Sequence, residues 1–228
     1  MQGKKHEVKL KLRDTQVLTP DNIIFEKGEV GLVLELTVKD KAGNVKHHSV
    51  RKGESFTRQF AELLFVQMGC LPEVQPLDVR DTSNVVWEIA NDYHNFDASA
   101  LTGDTLYGIQ VGTDSTAPTI SDYALGTKID HGTGAGQLQY GNVAFGLPTA
   151  TAVLSYFTIT RDFSNASGGA ITVNEIGLVT LMNPIMLLYT SSRPAAVYAL
   201  VIRDVIAGGV TINNGETLTV NYRQQATA

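Results

Sequence analysis

The feature that most constrains the fold is an alternation of apolar and polar side chains between Ala152 and Tyr222. In this stretch, Phe157, Ile159 and Phe163 fall on one side of an extended chain, and threonines fall on the other. A period of two is typical of a half-buried strand. The same alternation returns at three further places, residues 171–178, 198–202 and 218–222. The sequence therefore predicts a series of antiparallel strands.

The connections between these strands are rich in residues that accept turn conformations. Residues 165–169 and 213–215 are glycine- and asparagine-rich sequences of this kind. The alternation changes phase between Val173 and Ile176. A phase change within one strand predicts a β-bulge near residues 174–175.

The N-terminal part contains a second group of predicted strands. Residues 8–13 alternate valine and leucine with lysine and arginine, and residues 31–39 alternate in the same way. The sequence of residues 40–44 is typical of a turn, and residues 45–50 follow as the returning strand of a hairpin. A further short strand is predicted at residues 85–89.

Residues 55–68 change to a helical period. Phe56, Phe60, Leu63 and Leu64 fall on one helical face, which predicts one amphipathic helix. We favour a helix packed across a sheet as part of the core. The alternative is a helix that docks on a neighbouring subunit.

Together these patterns predict a mainly β fold, an antiparallel β-sandwich of jelly-roll-like type with an N-terminal β-hairpin and one amphipathic helix. With 228 residues and 43% hydrophobic content, the chain can bury the core of such a sandwich. We divide it into an N-terminal elaboration, residues 1–104, and a C-terminal β-sandwich module, residues 105–228.

Charge and cysteine content exclude several classes of protein. The formal net charge of -5 argues against general nucleic-acid binding, which needs a basic face. Charged residues make up only 18% of the chain, which suits a surface covered by neighbours. Cys70 is the only cysteine, so an intrachain disulfide and a thiolate zinc site are excluded. We expect no secretion signal and no membrane span.

The sequence has no recognisable catalytic, cofactor or metal motif. The glycine-rich residues 131–136 precede a strand pattern, whereas a phosphate-binding loop precedes a helix. His47 and His48 are adjacent in a predicted strand, so their rings point to opposite faces and are poorly placed to share a metal. We predict no catalytic, cofactor-binding or metal-binding residues and no enzymatic activity.

Several charged residues nevertheless stand inside apolar strands. We favour a structural role for them, at bulges or strand ends, over a chemical one. They are Glu175 and the repeated pairs Arg161-Asp162 and Arg203-Asp204.

Five segments of the C-terminal module resemble a family of tailed-bacteriophage structural proteins. They are YGIQVGTDSTAPTISDYALGTKI, HGTGAGQLQYG, ITVNEIGL, LVIRD and VTINNGETLTVNY. The resemblance covers roughly residues 105–223, and the N-terminal hairpin and helix are compatible with it. The sequence departs from the usual form after Leu178, where residues 179–194 insert an apolar segment.

The resemblance implies a virion component of the neck, tail or capsid surface, made in the host cytoplasm and without enzymatic residues. Its implied partners are other copies of itself, in a homo-oligomer, and other virion proteins, with no nucleic acid and no membrane. The inserted segment suggests a subunit contact. The candidate interface residues are Met182, Met186, Leu187, Leu188, Phe56 and Phe60.

Two alternatives from other classes stay open. One is a receptor- or glycan-binding tail module that uses aromatic side chains such as Trp87, Tyr93 and Tyr140. The other is a virion-associated hydrolase that acts on cell-wall or capsular glycans.

Overall fold

The computed structural model describes residues 19–23, 25–26, 29–53, 56–69, 77–89, 96–182 and 196–227. The predicted strand at residues 8–13 lies outside them. The described elements, in chain order, are a short 3-10 helix Pro20–Asn22, β1 Val30–Lys39, β2 Val45–Lys52, α1 Arg58–Gly69, β3 Leu77–Arg80, β4 Val86–Ile89, β5 Gly108–Gly112, β6 Gln139–Phe145, β7 Thr149–Ala150, β8 Leu154–Ser164, β9 Ile171–Met182, β10 Val197–Ile212 and β11 Thr217–Thr227.

The larger sheet joins the two ends of the described chain. Its strands lie in the order β2-β1-β11-β8-β6, with β7 also paired to β8. β1 and β11 pair antiparallel over ten residue pairs, from Val30 with Ala226 to Lys39 with Thr217. The N-terminal hairpin is therefore an integral part of this sheet. The division predicted between residues 104 and 105 does not coincide with a break in the sheet.

The smaller sheet has the order β10-β9-β5, and side chains of the larger sheet reach across to it. The hydroxyl of Tyr222 on β11 reaches across to the carboxylate of Asp204 on β10 at 2.9 Å. The guanidinium of Arg161 on β8 reaches the carbonyl of Ile109 on β5 at 2.8 Å. The inward apolar side chains of both sheets form one core between them. β3 and β4 form a separate two-stranded sheet.

The prediction of a mainly β fold with antiparallel sheets, an N-terminal hairpin and a single helix is confirmed in the described residues. The two sheets have six and three strands. This unequal division differs from that of an eight-stranded jelly roll.

The predicted phase change in β9 has its cause in the neighbouring strand. Val205 of β10 pairs with Glu175 of β9, and the next pair joins Val210 to Val173. Between these two pairs, β10 therefore has more residues than β9. The extra residues form a large bulge on β10 that includes Gly208 and Gly209, whose φ angles are +81° and +66°. The irregularity is thus opposite the predicted site, and the additional residues belong to β10.

The helix packs on β10 and β3, as the core interpretation requires. Its buried face overlaps the predicted one, because Leu63 is fully buried and Phe56 and Phe60 pack against the core, and Gln59 and Val66 are buried as well. Leu64 was assigned to the apolar face but is 39% exposed, and the neighbouring Phe65 is 57% exposed.

Candidate functional site

Two of the charged residues that stand inside the apolar strands, Glu175 and Arg203, belong to one partly buried ion cluster. Arg203 of β10 donates from Nε to the Glu175 carboxylate of β9 at 2.9 Å. Its Nη1 contacts Asp122 at 2.8 Å, and its Nη2 contacts Asp114 at 2.9 Å. We call these four residues the Arg203 cluster.

The Arg203 cluster lies on the outer face of the smaller sheet, beneath the connection that follows β5. Arg203 and Asp204 are consecutive residues of β10, so their side chains lie on opposite faces, and Asp204 points at the larger sheet. Asp114 and Asp122 belong to the covering connection, residues 113–127. The cluster therefore fastens a third layer of chain onto the sandwich.

Glu175 lies at the centre of the Arg203 cluster. Its side chain has no exposed surface, and it accepts hydrogen bonds from the backbone N–H groups of Gly126 at 3.0 Å and Thr127 at 2.8 Å. Space for these contacts requires glycine, because a Cβ at Gly126 would lie 2.2 Å from Asp114 Oδ2 and one at Gly112 would lie 2.4 Å from Glu175 Oε1. The glycines of this region are thus needed for close backbone approach.

Three carboxylates around one guanidinium leave an excess of negative charge, and hydrogen bonds from neighbouring threonines stabilise the ionised carboxylates. Thr116 donates from its backbone N–H and its hydroxyl to Asp114. Thr119 does the same for Asp122, at 2.9 Å and 2.7 Å. A buried charge is tolerated when every charged group is paired and hydrogen-bonded, and the cluster meets that condition.

The same contacts shift the pKa values of the cluster. Burial by itself would raise the pKa of Asp122, but hydrogen bonds from Thr119 and Arg203 hold it below its ordinary value. Hydrogen bonds from Thr116 lower the pKa of Asp114. Burial opposes the charged form of Arg203, yet its contacts with Asp122 and Glu175 raise its pKa overall. All three groups are held in their ionised forms.

The other charged residues of the strands are also bonded within the protein. Arg161 is fully buried and donates hydrogen bonds to the backbone carbonyls of five residues, and its guanidinium lies 4.8 Å from the ring of Tyr140. These carbonyls belong to Leu101, Asp104, Tyr107, Ile109 and Gly141. Asp162, the next residue, accepts a hydrogen bond from Thr219 at 2.6 Å. Arg161 therefore ties the connection before β5 to the larger sheet.

A groove of about 490 Å³ lies beside the Arg203 cluster. One wall is made by Ser115, Ala117 and Pro118 of the covering connection, and the other by residues 205–208 of the β10 bulge. Asn174 lines the groove and donates from its side chain to the carbonyl of Thr113 at 2.8 Å. The cluster and the bulge together set the position of both walls.

Three of the six predicted interface residues, Met182, Phe56 and Phe60, lie among the described residues. Met182 has no exposed surface and packs in the chain's own core, so it is unavailable for the predicted subunit contact. Phe56 and Phe60 stack with ring centroids 4.0 Å apart and pack against the core, which leaves each only partly exposed. Met186, Leu187 and Leu188 lie outside the described residues.

Two of the three aromatic residues proposed for glycan binding, Trp87 and Tyr140, lie among the described residues. Tyr140 is 1% exposed and donates its hydroxyl to the carbonyl of Ile129, so its ring cannot stack on a sugar. Trp87 is half-buried, with its indole N–H bonded to Asp81 at 2.7 Å. Tyr93 lies outside the described residues.

Sequence reasoning identified Glu175 and Arg203 but missed Asp114 and Asp122. Both missed aspartates stand in loops near a threonine, with Thr116 two residues after Asp114 in GTDST and Thr119 three residues before Asp122 in TISDY. Aspartate among serine and threonine residues is typical of a turn. The signal locates a turn, but it does not say that the turn lies over β9 and β10.

The fold and the Arg203 cluster define an antiparallel β-sandwich protein whose charged strand residues hold its own layers together. Within the part of the chain that the structure describes, no group of three or more His, Cys, Asp or Glu side chains could hold a metal, and no helix is long and apolar enough to span a membrane. Comparisons with protein families, with curated proteins and with solved structures find no match.

Proposed function

We propose that this chain is a structural subunit of a tailed-phage virion, in the neck, the tail or the capsid surface. It acts by self-assembly and by contacts with other virion proteins, and it catalyses no reaction. Its partners are other copies of itself in a homo-oligomer, without nucleic acid or membrane.

The observation that supports this proposal most is the position of the family-like segments in the fold. YGIQVGT contains β5, ITVNEIGL lies in β9, LVIRD lies in β10, and VTINNGETLTVNY is the β10–β11 hairpin. The Arg203 cluster takes Glu175 and Arg203 from two of these strands, and Asp114 and Asp122 from the loop segment that follows β5. The residues that carry the resemblance therefore stabilise the fold, as we expect of residues in a structural protein.

The surface supports an assembling protein as well. Twelve large apolar side chains are exposed among the described residues, and Leu147 is the most exposed, at 89%. Single exposed apolar residues are ordinary in monomers, but projecting ones on an uncharged segment suit a contact with another protein. No charged residue occurs between Asn142 and Arg161.

The test is the composition of phage particles. Particles released by the host whose DNA carries this coding sequence should be purified on a density gradient and analysed by quantitative mass spectrometry. The proposal expects this chain in a fixed, multi-copy ratio to the major capsid protein. Particles that lack the chain would overturn the virion role.

A further inference from the structure

We propose that a cavity at the N-terminus of α1 binds a phosphate group that still carries a proton. Arg58, Gln59, Arg80 and Ser121 line this cavity, whose volume is about 110 Å³. We call it the α1 cavity. The inference goes beyond the virion role and does not depend on it.

Three separate parts of the fold build the α1 cavity. Arg58 and Gln59 begin α1, Arg80 ends β3, and Ser121 belongs to the covering connection. The backbone N–H of Arg58 donates to the carbonyl of Ile120 at 2.9 Å. This backbone hydrogen bond holds the covering connection against the start of the helix, so it fixes two of the walls relative to each other.

Gln59 is the residue that points to a ligand. It is only 2% exposed, and its Oε1 is buried without a hydrogen-bond partner among the described residues. A buried acceptor that lacks a partner is unfavourable, and such groups are rare in folded proteins. Because Gln59 lines the α1 cavity, a ligand there that donates a hydrogen bond would satisfy this oxygen.

The charge of the α1 cavity suits an anion. Arg58 pairs with Glu62 at 2.7 Å, whereas Arg80 makes no ion pair among the described residues. Arg80 instead donates from Nη1 to the side-chain oxygen of Asn84 at 2.5 Å, which orients the guanidinium without neutralising it. The positive end of the α1 dipole adds to the charge of Arg80.

The carboxylates next to the lining residues in sequence have other partners. Asp81, which follows Arg80, accepts the indole N–H of Trp87 and the backbone N–H groups of residues 83 and 85. Asp122, which follows Ser121, belongs to the Arg203 cluster. Among the described residues that line the α1 cavity, none is acidic.

Size and hydrogen bonding together select the ligand. A cavity of ~150 Å³ holds benzene, which has six heavy atoms. The α1 cavity, at about 110 Å³, therefore accepts the five heavy atoms of phosphate and excludes a nucleoside. At neutral pH, phosphate has oxygens that accept from arginine and a P–OH group that can donate to Gln59. Sulfate and phosphodiesters carry no such proton, so either would leave the Gln59 oxygen unpaired.

The test measures phosphate binding by the whole chain with isothermal titration calorimetry, in a phosphate-free buffer at neutral pH. The natural chain should bind one phosphate saturably, and about tenfold or more tightly than sulfate or dimethyl phosphate. Glycerol phosphate, a monoester, distinguishes two sources of the ligand. If it binds like inorganic phosphate, the ligand is the phosphate end of a larger molecule; if it binds much more weakly, the ligand is free phosphate.

Two variants test the lining residues. Arg80→Gln removes a positive charge and should weaken phosphate binding about tenfold or more. Lys39→Gln is the matched control, because it removes a positive charge at an exposed position of the larger sheet and should leave binding unchanged. Gln59→Met keeps the length of the buried side chain but removes Oε1, so phosphate should lose its advantage over sulfate. Circular dichroism checks the fold of each variant, and Arg80→Gln decides the test if Gln59→Met does not fold.

Three results would overturn the proposal. They are the absence of saturable phosphate binding up to about 10 mM, equal binding by the natural chain and Arg80→Gln, and equal affinity of the natural chain for phosphate and sulfate. None of them bears on the virion role, because that role is tested on purified particles.

Discussion

At the scale of single residues, Glu175 decides whether the outer layer of chain stays on the smaller sheet. Glu175→Gln keeps the shape of the side chain but turns an amide N–H₂ toward Arg203 or toward the N–H groups of Gly126 and Thr127. Donors would then face donors in a buried place. We expect a loss of about 3 kcal/mol in the free energy of unfolding, measured by denaturant titration.

The control for this prediction is Glu26→Gln, an identical change at an exposed carboxylate. It should alter the free energy of unfolding by no more than about 0.5 kcal/mol. Equal effects of the two substitutions would show that Glu175 has no special part in stability.

The carboxylates of the Arg203 cluster also predict how stability depends on pH. The pKa values of Asp114 and Asp122 are lower in the folded protein than their ordinary value of 3.8. Their ionised forms therefore favour folding above that value, and this stabilisation is lost as the pH falls through the folded pKa values. Stability should decrease as the pH falls below about 4.

Asp122→Asn removes one of these titrating groups. Its denaturation midpoint should be lower than that of the natural chain at pH 7 and should change less between pH 5 and pH 3, at about 25 °C. A pH dependence identical to that of the natural chain would show that Asp122 does not contribute to it.

At the scale of elements, the close approach of β5 to β6 depends on Gly108. Gly108 has a φ of +81°, and a Cβ there would lie 2.7 Å from Val143 Cγ2 and 2.8 Å from Ala100 Cβ. Gly108→Ala should therefore suffer both backbone strain and overpacking. We expect a loss of about 2 to 5 kcal/mol in the free energy of unfolding.

Gly43→Ala separates these two effects. Gly43 has a φ of +86° in the β1–β2 turn, but a Cβ there would meet no atom within 4 Å. It should cost only the strain of about 1 to 2 kcal/mol. A Gly108→Ala protein no less stable than Gly43→Ala would mean that the strands can separate without penalty.

At the scale of the whole molecule, the N-terminal hairpin completes the sandwich. β1 lies inside the larger sheet, and Leu34 and Leu36 point from it into the core with at most 1% exposure. A fragment of residues 105–228 would leave β11 unpaired on one side and the core uncovered. We expect it to lack the cooperative unfolding transition and near-ultraviolet circular dichroism of the whole chain.

A fragment that unfolds cooperatively with a native-like spectrum would show that residues 105–228 form an independent domain. The fragment should be compared with the whole chain at the same concentration, because an exposed sheet edge invites association. In the whole chain β1 covers this edge of β11, so the N-terminal and C-terminal parts stabilise each other.

The sequence by itself determined the local structure. The period of two predicted β8 and β11, the turn at residues 40–44 predicted the first hairpin, and the helical period predicted α1 to within three residues of its observed start. These features could be predicted because the side-chain period and turn chemistry act between near neighbours.

Only the tertiary structure decided which strands became neighbours and what the polar residues contact. β1 pairs with β11, and Arg203 contacts Asp114 and Asp122, although these residues are far apart in the chain. The burial of Met182 and Tyr140 likewise depends on distant parts of the chain. Alternation says which face of a strand is apolar, but it does not say which strand or loop will cover it. That choice depends on how the whole core packs and on whether each buried charge finds its partners.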